Sequence, residues 1–138
     1  MVGAMPAWLL KTEPSTYSFA DLVKDERTRW DGITNPVALR HLRQAKAGET
    51  AVIYHTGDEK SCVGLARIVK PAYPDPRNEK LVVVDLEAGE ALGRPVTLAT
   101  LKADPTFADS PLVRQGRLSF VPLTDPQLAR IRSLAASR

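Results

Sequence analysis

Three short clusters in the sequence combine an aromatic residue with hydrogen-bonding side chains and a glycine or proline. They are Trp8 with Lys11-Thr12-Glu13-Pro14, the run Trp30-Asp31-Gly32-Ile33-Thr34-Asn35, and the run Tyr54-His55-Thr56-Gly57. An aromatic face can stack on a flat heterocycle, which contributes about 1–3 kcal/mol for a nucleic-acid base. Polar side chains can read the edge of such a ring, and glycine lets the backbone approach it. The clusters predict a pocket for a flat, polar ring.

Each cluster also has an interpretation that involves packing alone. Trp8 lies in an apolar run and is expected in the core, while the charged residues of the first cluster could pair on a wet strand face. Tyr54 and His55 could be buried residues whose polar atoms are satisfied. Trp30 is harder to explain by packing, because it lies outside any periodic pattern and just before a glycine.

Metal and nucleophilic chemistry have little support in the sequence. Two histidines and one cysteine do not supply a zinc site, no glycine-rich phosphate loop is present, and no cofactor is expected. Cys62 and His55 could form a nucleophile and base near a hairpin. The favoured interpretation is that Cys62 is a small buried residue, as free cysteines usually are.

Length and composition predict one domain over residues 6–136 in a chain of 138 residues. Residues 1–5 are expected to be an N-terminal extension, with Met1 and Met5 both open as the natural start. The N-terminus lacks a signal-peptide pattern, and no window holds the roughly 20 apolar residues of a membrane span. The single cysteine excludes an internal disulfide and fits a reducing, cytoplasmic setting.

Hydrophobic patterns and capping signals predict an α+β fold with five or six strands. Strands are expected at 7–12, 50–55, 62–69, 81–86 and 118–121, with a sixth at 96–101, a loop at 73–78, and an irregular or briefly helical segment at 105–116. Capping signals predict helices over 18–25, from Asn35-Pro36 to Lys46, and from Thr124 onward. Because strands and helices do not alternate regularly, a small, partly closed β-barrel fits better than an open α/β sheet.

The motifs W-L-L-K-T-E-P, W-D-G-I-T-N and Y-H-T resemble the EVE domain family, within the PUA-like superfamily. The resemblance continues in collinear order from residue 6 to about 134, through Asp75–Asn78, Val83–Leu86 and Arg117–Leu123. It implies a PUA-like pseudo-barrel of mixed strands with flanking helices. It also implies a module that binds DNA or RNA carrying a modified base, which is flipped into an aromatic-lined pocket.

Carried over to this chain, the resemblance implies a specific pocket lining. The expected lining residues are Lys11, Thr12, Glu13, Pro14, Trp30, Asp31, Gly32, Asn35, Tyr54, His55 and Thr56. Thr12 and Glu13 would contact the base edge, and Trp30 or Tyr54 would stack on it. The chain departs from the family pattern at two places. Thr34 stands where family members commonly have an arginine, and residues 38–41 read Ala-Leu-Arg-His where members often have an Ala-Arg-Asn run.

The basic residues of the first third of the chain would contact the phosphate backbone. Arg27, Arg29, Arg40 and Arg43 are the expected source of the salt-sensitive, sequence-independent part of the affinity, in a chain of net charge +3. The partner is expected to be DNA or RNA, with no membrane contact, and the protein is expected to be a monomer.

Two other functions stay open at this point. Related ASCH domains include amidohydrolases that act on acylated cytidine with a lysine, a threonine and an acid, and Lys11-Thr12-Glu13 matches those residue types. Alternation along a strand argues against the enzyme, because neighbouring side chains point to opposite faces. The third interpretation is a protein–protein adaptor with a vestigial pocket.

Overall fold

The computed structural model describes residues 7–136, so the expected extension over residues 1–5 lies outside the described residues. Six strands form one mixed sheet: β1 (Ala7–Thr12), β2 (Arg27–Trp30), β3 (Thr50–His55), β4 (Ser61–Asp75), β5 (Asn78–Thr97) and β6 (Phe120–Leu123). The α-helices within this range are α1 (Phe19–Asp25), α2 (Pro36–Gln44), α3 (Leu98–Ala103), α4 (Pro111–Arg114) and α5 (Asp125–Ala136), with a 3-10 turn at Pro105–Phe107. The predicted α+β class is confirmed.

The strand order is β2-β5-β4-β3-β1-β6, which places β2 and β6 at opposite ends of the sheet. β1 pairs in parallel with β3, and the other neighbouring strands are antiparallel. Residues of β1, of β2 and of the segment before β6 nevertheless line one cavity. The sheet must therefore curl until its two ends approach each other, which gives the partly closed barrel that the sequence predicted.

Local capping signals set the helix starts that the sequence predicted. Ser18 and Asp21 form a reciprocal capping box at α1. Asn35 caps α2, because its Oδ1 accepts hydrogen bonds from the next two free backbone N–H groups. Thr124 and Gln127 exchange side-chain and backbone hydrogen bonds at the start of α5. Such signals are read correctly because they depend only on neighbours in the chain.

The predicted loop over residues 73–78 is wrong. β4 continues through Pro71 and Pro74 to Asp75, and only two residues separate it from β5. The β4–β5 register shifts several times along this hairpin, and such irregular positions tolerate proline, which cannot donate to a regular ladder. The Asp75 carboxylate accepts from the Arg77 N–H at 2.9 Å and closes the tight turn.

Other boundaries also differ from the prediction, and the strand expected over 81–86 is much longer, since β5 runs from Asn78 to Thr97. The segment expected as a strand over 96–101 is the end of β5 followed by α3, which Thr97 caps through the Thr100 N–H. The last strand begins at Phe120, two residues later than expected, and the second helix ends at Gln44. β2 was not predicted at all. The segment 105–116 holds the 3-10 turn and α4, so its brief helicity is confirmed.

A buried hydrogen bond links β1 to the loop before β3. Trp8 is 2% exposed, as predicted for a core residue, and its Nε1 donates to the Glu49 carboxylate at 2.8 Å. The same carboxylate oxygen accepts from the Lys46 N–H at 2.6 Å, which ties the loop before β3 to β1. A buried carboxylate depends on such donors, since burying a charge without partners is costly. Between residues 7 and 136, no helix combines the length and apolarity needed to cross a bilayer.

We expect Trp8→Phe to lower the free energy of unfolding by about 1–3 kcal/mol beyond the loss of packing, because it leaves the Glu49 carboxylate one donor short. Urea unfolding followed by circular dichroism measures the change. Glu49→Gln is the control: its amide oxygen can still accept from Trp8, so its loss should be smaller. A Trp8→Phe variant as stable as the wild type would contradict the role given to this hydrogen bond.

Candidate functional site

A cavity of about 480 Å³, here called the first cavity, lies between the end of β1, strand β2 and the segment before β6. Five of the residues predicted for a ring-binding pocket line it: Lys11, Thr12, Trp30, Asp31 and Gly32. Its other lining residues are Thr16, Tyr17, Thr28, Arg29, Ile33 and Ser119. The first two sequence clusters therefore meet in one hollow.

A tight turn after β1 brings an aromatic ring back over the strand end. The Glu13 carbonyl accepts hydrogen bonds from the N–H groups of Thr16 and Tyr17, both at 2.9 Å. The Thr12 hydroxyl donates to the Tyr17 carbonyl at 2.7 Å. Pro14 fixes the backbone within this turn, because its ring restricts φ. Tyr17 is thereby held beside Thr12 at the wall of the first cavity.

Trp30 forms the facing aromatic wall. Its ring meets the Tyr17 ring edge to face, with centroids 6.2 Å apart and planes at 77°. Only 8% of Trp30 is exposed, so its packing is also structural. The chain then turns at Gly32, whose φ of +82° suits glycine, although an added Cβ would meet nothing within 4 Å. The constraint at Gly32 is thus backbone conformation rather than space.

Lys11 borders two hollows at once. Besides the first cavity it lines a second cavity of about 220 Å³, whose lining also includes Tyr54, Thr56, Lys60 and Lys102. Its Nζ donates to the Gly116 carbonyl at 2.8 Å and lies 5.7 Å from the centroid of the Tyr54 ring. Partial burial lowers the pKa of Lys11 from its usual value.

The remaining predicted pocket residues lie outside the first cavity. They are Glu13, Pro14, Asn35, Tyr54, His55 and Thr56. The Glu13 carboxylate accepts from the Ser15 and Thr56 hydroxyls, each at 3.2 Å, and does not pair with Lys11 among the described residues. A Cβ on Gly57, whose φ is +77°, would come within 3.1 Å of this carboxylate. Tyr54 and Thr56 line the second cavity, and the other four line neither cavity. The binding roles of all six stay a prediction.

His55 and Cys62 have structural roles in this fold. His55 Nε2 accepts from the Phe19 N–H at 2.9 Å, so its Nδ1 carries the proton that faces Glu59, 2.9 Å away. Cys62 is fully buried, and this burial raises the pKa of its thiol to about 12. The pair therefore lacks the exposed thiolate that nucleophilic catalysis requires.

Two of the four predicted phosphate-contacting arginines lie on β2. Arg29 lines the first cavity, and a hydrogen bond with Tyr73 raises the pKa of its guanidinium. Arg27 pairs with Glu87 at 2.9 Å, and Glu87 also pairs with Arg67 at 2.7 Å. Of the four predicted phosphate contacts, Arg29 is therefore the one that lines the first cavity.

The other two arginines are exposed on α2. Arg40 and Arg43 do not line the first or second cavity, and they form no ion pair within residues 7–136. A cation that the sequence did not single out is placed nearer: Arg77, on the β4–β5 turn, pairs with Asp31 of the first cavity's lining. Backbone contact through Arg40 and Arg43 therefore stays a prediction.

Tyr17 is the lining residue whose omission from the sequence-based set matters most. Its aromatic character and its place three residues after Pro14 were visible, but nothing in the sequence showed that the turn folds back over β1. Thr28 and Ser119 lie on parts of the chain that become neighbours only when the sheet curls. Asp75, Ser110 and Gln127 are buried polar residues that instead close turns and cap helices.

A mixed, curled six-stranded sheet with flanking helices and a ring-sized cavity at its strand ends defines a PUA-like α+β domain. Within this class, the family model of the EVE domain matches residues 6–134. The chain therefore belongs to the EVE domain family, as its motifs predicted.

Comparisons with individual proteins agree with this assignment. Human thymocyte nuclear protein 1 is 31% identical over an alignment that covers 92% of this chain and 72% of the human protein. The structure of Rpa0253 from Rhodopseudomonas palustris superposes with a TM-score of 0.89 at 36% identity, covering 96% of this chain and 93% of the other. The structure of human THYN1 protein in complex with DNA containing 5-methylcytosine superposes with a TM-score of 0.89 at 29% identity, covering 96% of this chain and 99% of the other.

A more distant similarity concerns the fold alone. The ASCH protein of Zymomonas mobilis, solved as a mutant, gives a TM-score of 0.56 at 16% identity and covers 93% of this chain and 97% of the other. Within the described part of the chain, no group of three or more His, Cys, Asp or Glu side chains is placed to hold a metal ion.

We expect Cys62 to make the protein less stable in alkali. Its folded-state pKa, about 12, lies above the ordinary value of 9.0, so the thiol stabilises the fold fully below pH 9. As pH rises from 9 toward 12, the unfolded chain loses the proton first, and stability should fall by about 1.4 kcal/mol per pH unit. Comparing urea unfolding of wild type and Cys62→Ala at pH 8 and 10.5 isolates this effect from other titrating groups. An identical loss in both proteins would contradict it.

Proposed function

We propose that the protein is a non-enzymatic module that binds nucleic acid carrying a modified base, and that this base enters the first cavity. The observation that carries the proposal is an open hollow of about 480 Å³ bordered by an aromatic pair and by polar side chains. Its volume falls within the range of about 300–1,000 Å³ typical of small-ligand sites. The 5-methylcytosine DNA bound by human THYN1 makes that base the first candidate.

The polar groups of the cavity complement the edge of an amino-bearing ring. The Thr12 hydroxyl uses its hydrogen on the Tyr17 carbonyl, so its oxygen remains available as an acceptor. Lys11 uses one ammonium hydrogen on Gly116 and keeps two more donors. Cytosine presents an exocyclic amine that donates, next to a ring nitrogen and a carbonyl that accept, so an acceptor on one wall of the cavity and a donor on another suit it.

The energetics of base extrusion are compatible with these contacts. Flipping a base out of a duplex costs a few kcal/mol, and less from a single strand. Stacking against the cavity's aromatic wall contributes about 1–3 kcal/mol. Hydrogen bonds with a charged partner such as Lys11 add about 1.5–3 kcal/mol each. We further propose that one monomeric domain, residues 6–136, carries this activity, on DNA or on RNA.

A hydrolase acting on acylated cytidine is the second candidate, and one observation favours it. Lys11 and Thr12 both border the first cavity, and burial lowers the pKa of Lys11, as a lysine base requires. Two observations favour the reader instead. The two side chains diverge toward Gly116 and Tyr17, and the Glu13 carboxylate faces Ser15 and Thr56 rather than the cavity.

We expect no release of acetate when the protein is incubated with N4-acetylcytidine, because the lysine, hydroxyl and carboxylate do not converge. Chromatography of the nucleoside measures the outcome. Turnover that disappears in Lys11→Ala but persists in Arg40→Gln would replace the reader with the enzyme.

We expect Tyr17→Ala to weaken binding to a duplex with a single 5-methylcytosine by about 1–3 kcal/mol, roughly 5- to 150-fold in Kd, because it removes one face of the aromatic wall. Fluorescence anisotropy with modified and unmodified duplexes measures affinity and discrimination. Tyr17→Phe is the matched control, since it keeps the ring and loses only the exposed hydroxyl bond to Asp25.

The same assay should be run against a panel of modified DNA and RNA oligonucleotides. Wild-type protein that binds none of them better than the unmodified strand would remove the proposed function. Equal discrimination by wild type and Tyr17→Ala would show that the base does not use the first cavity.

A further inference from the structure

We propose that the second cavity binds a backbone phosphate of the same strand whose base enters the first cavity. This inference rests on the proposed function and extends it from the base to the adjoining backbone. The two cavities are neighbours, because Lys11 lines both. A ligand that fills both must carry a flat ring and a nearby anion, and a nucleotide strand has both.

The second cavity has the donors that a phosphate requires. Three lysines line it, Lys11, Lys60 and Lys102, together with the hydroxyl-bearing residues Tyr54 and Thr56. Ammonium groups and hydroxyls are among the usual partners of phosphate oxygens in nucleic-acid complexes. The Thr56 hydroxyl already donates to Glu13, so the lysines and Tyr54 are the donors in question. This set was not marked by the sequence motifs, because Lys60 and Lys102 lie 42 positions apart and meet only in the fold.

The three lysines of the second cavity have no acidic partner within residues 7–136. Arg27, Arg67 and Arg77, by contrast, each form an ion pair with a carboxylate. Within the described residues, the Lys11 ammonium donates its hydrogen bond to a carbonyl oxygen rather than to a carboxylate. Among the described residues no acidic side chain lines the cavity, and the Glu13 carboxylate near Gly57 is held by the Ser15 and Thr56 hydroxyls. The second cavity therefore keeps a positive charge that an incoming anion can neutralise.

The rest of the lining suits a backbone phosphate better than free inorganic phosphate. Leu98, Leu112 and Val113 form an apolar side of the second cavity. A sugar carries carbon atoms that can pack on such a surface, while an isolated phosphate gains nothing there. Gly116 also lines it, and nothing lies within 4 Å of the place where its Cβ would be, so this part of the wall leaves room for a chain to pass.

The decisive variant is Lys60→Gln with Lys102→Gln, which removes two charges and leaves Lys11 in place. Its matched control is Lys46→Gln with Lys80→Gln, because these exposed lysines line neither cavity and their side chains form no hydrogen bond or ion pair within residues 7–136. Both variants change the net charge equally. Lys60→Arg with Lys102→Arg tests whether positive charge alone restores binding.

We expect Lys60→Gln/Lys102→Gln to make the plot of log K against log salt concentration shallower by about 1, since each neutralised phosphate contributes a slope of about 0.9 on duplex DNA. A slope lower by 1 means that the ratio of variant to wild-type affinity falls roughly tenfold when the salt concentration is lowered from 1 M to 0.1 M. The preference for 5-methylcytosine over cytosine should not change. The control pair should keep the wild-type slope, and the arginine pair should recover most of the affinity.

A methylphosphonate scan then locates the phosphate. Neutral linkages are placed one at a time around the modified cytosine, and one position should weaken wild type strongly but barely affect Lys60→Gln/Lys102→Gln. The inference is overturned if Lys60→Gln/Lys102→Gln shows the same salt slope as the control pair, or if it is weakened as strongly as wild type by the critical neutral linkage. In either case, a wild-type preference for 5-methylcytosine over cytosine still supports the proposed function. Loss of discrimination in the lysine variant would assign the base to the second cavity instead. Failure of wild type to bind any modified strand removes both.

Discussion

The contact between the rings of Tyr17 and Trp30 joins two parts of the chain that the strand order keeps apart. Tyr17 follows β1, whereas Trp30 ends the edge strand β2, and three strands separate β1 from β2 in the sheet. The contact can form only because the sheet curls and because Thr12 holds the Tyr17 carbonyl. Without it the strand ends would border an open surface. The first cavity is thus a consequence of sheet curvature closed by one aromatic pair.

The secondary structure could be predicted from the sequence wherever its signals are local. The apolar run of β1 and the caps at Ser18 and Asn35 depend on residues within a few positions of one another. β2 could not be predicted, because a four-residue edge strand with two exposed arginines carries no apolar alternation. The loop predicted around Pro74 is wrong because this proline lies in an irregular stretch of the β4–β5 hairpin, where a missing backbone donor is tolerated.

The composition of the cavities depends on strand register, which the sequence does not state. In the parallel β1–β3 pair, Lys11 lies opposite Tyr54 and Thr12 opposite His55. Paired residues of neighbouring strands point to the same face, so Tyr54 follows Lys11 toward the second cavity. His55 turns to the backbone of Phe19 at the start of α1. The cluster Tyr54-His55-Thr56-Gly57 therefore places polar residues at a strand end, as predicted, but Tyr54 and Thr56 line the second cavity rather than the first.

Lys11 carries an energetic cost in the free protein that its position explains. A partly buried ammonium group with a carbonyl as its fixed partner is less well stabilised than one in water, and this desolvation lowers its pKa. An ion pair with Glu13 would offset the cost, yet that carboxylate is turned toward Ser15 and Thr56. A pairing of that kind would neutralise the wall between the two cavities. Leaving Lys11 without an acid preserves a positive potential. Under the proposed function this potential attracts the anionic strand, and the cost in the free protein is then offset on binding.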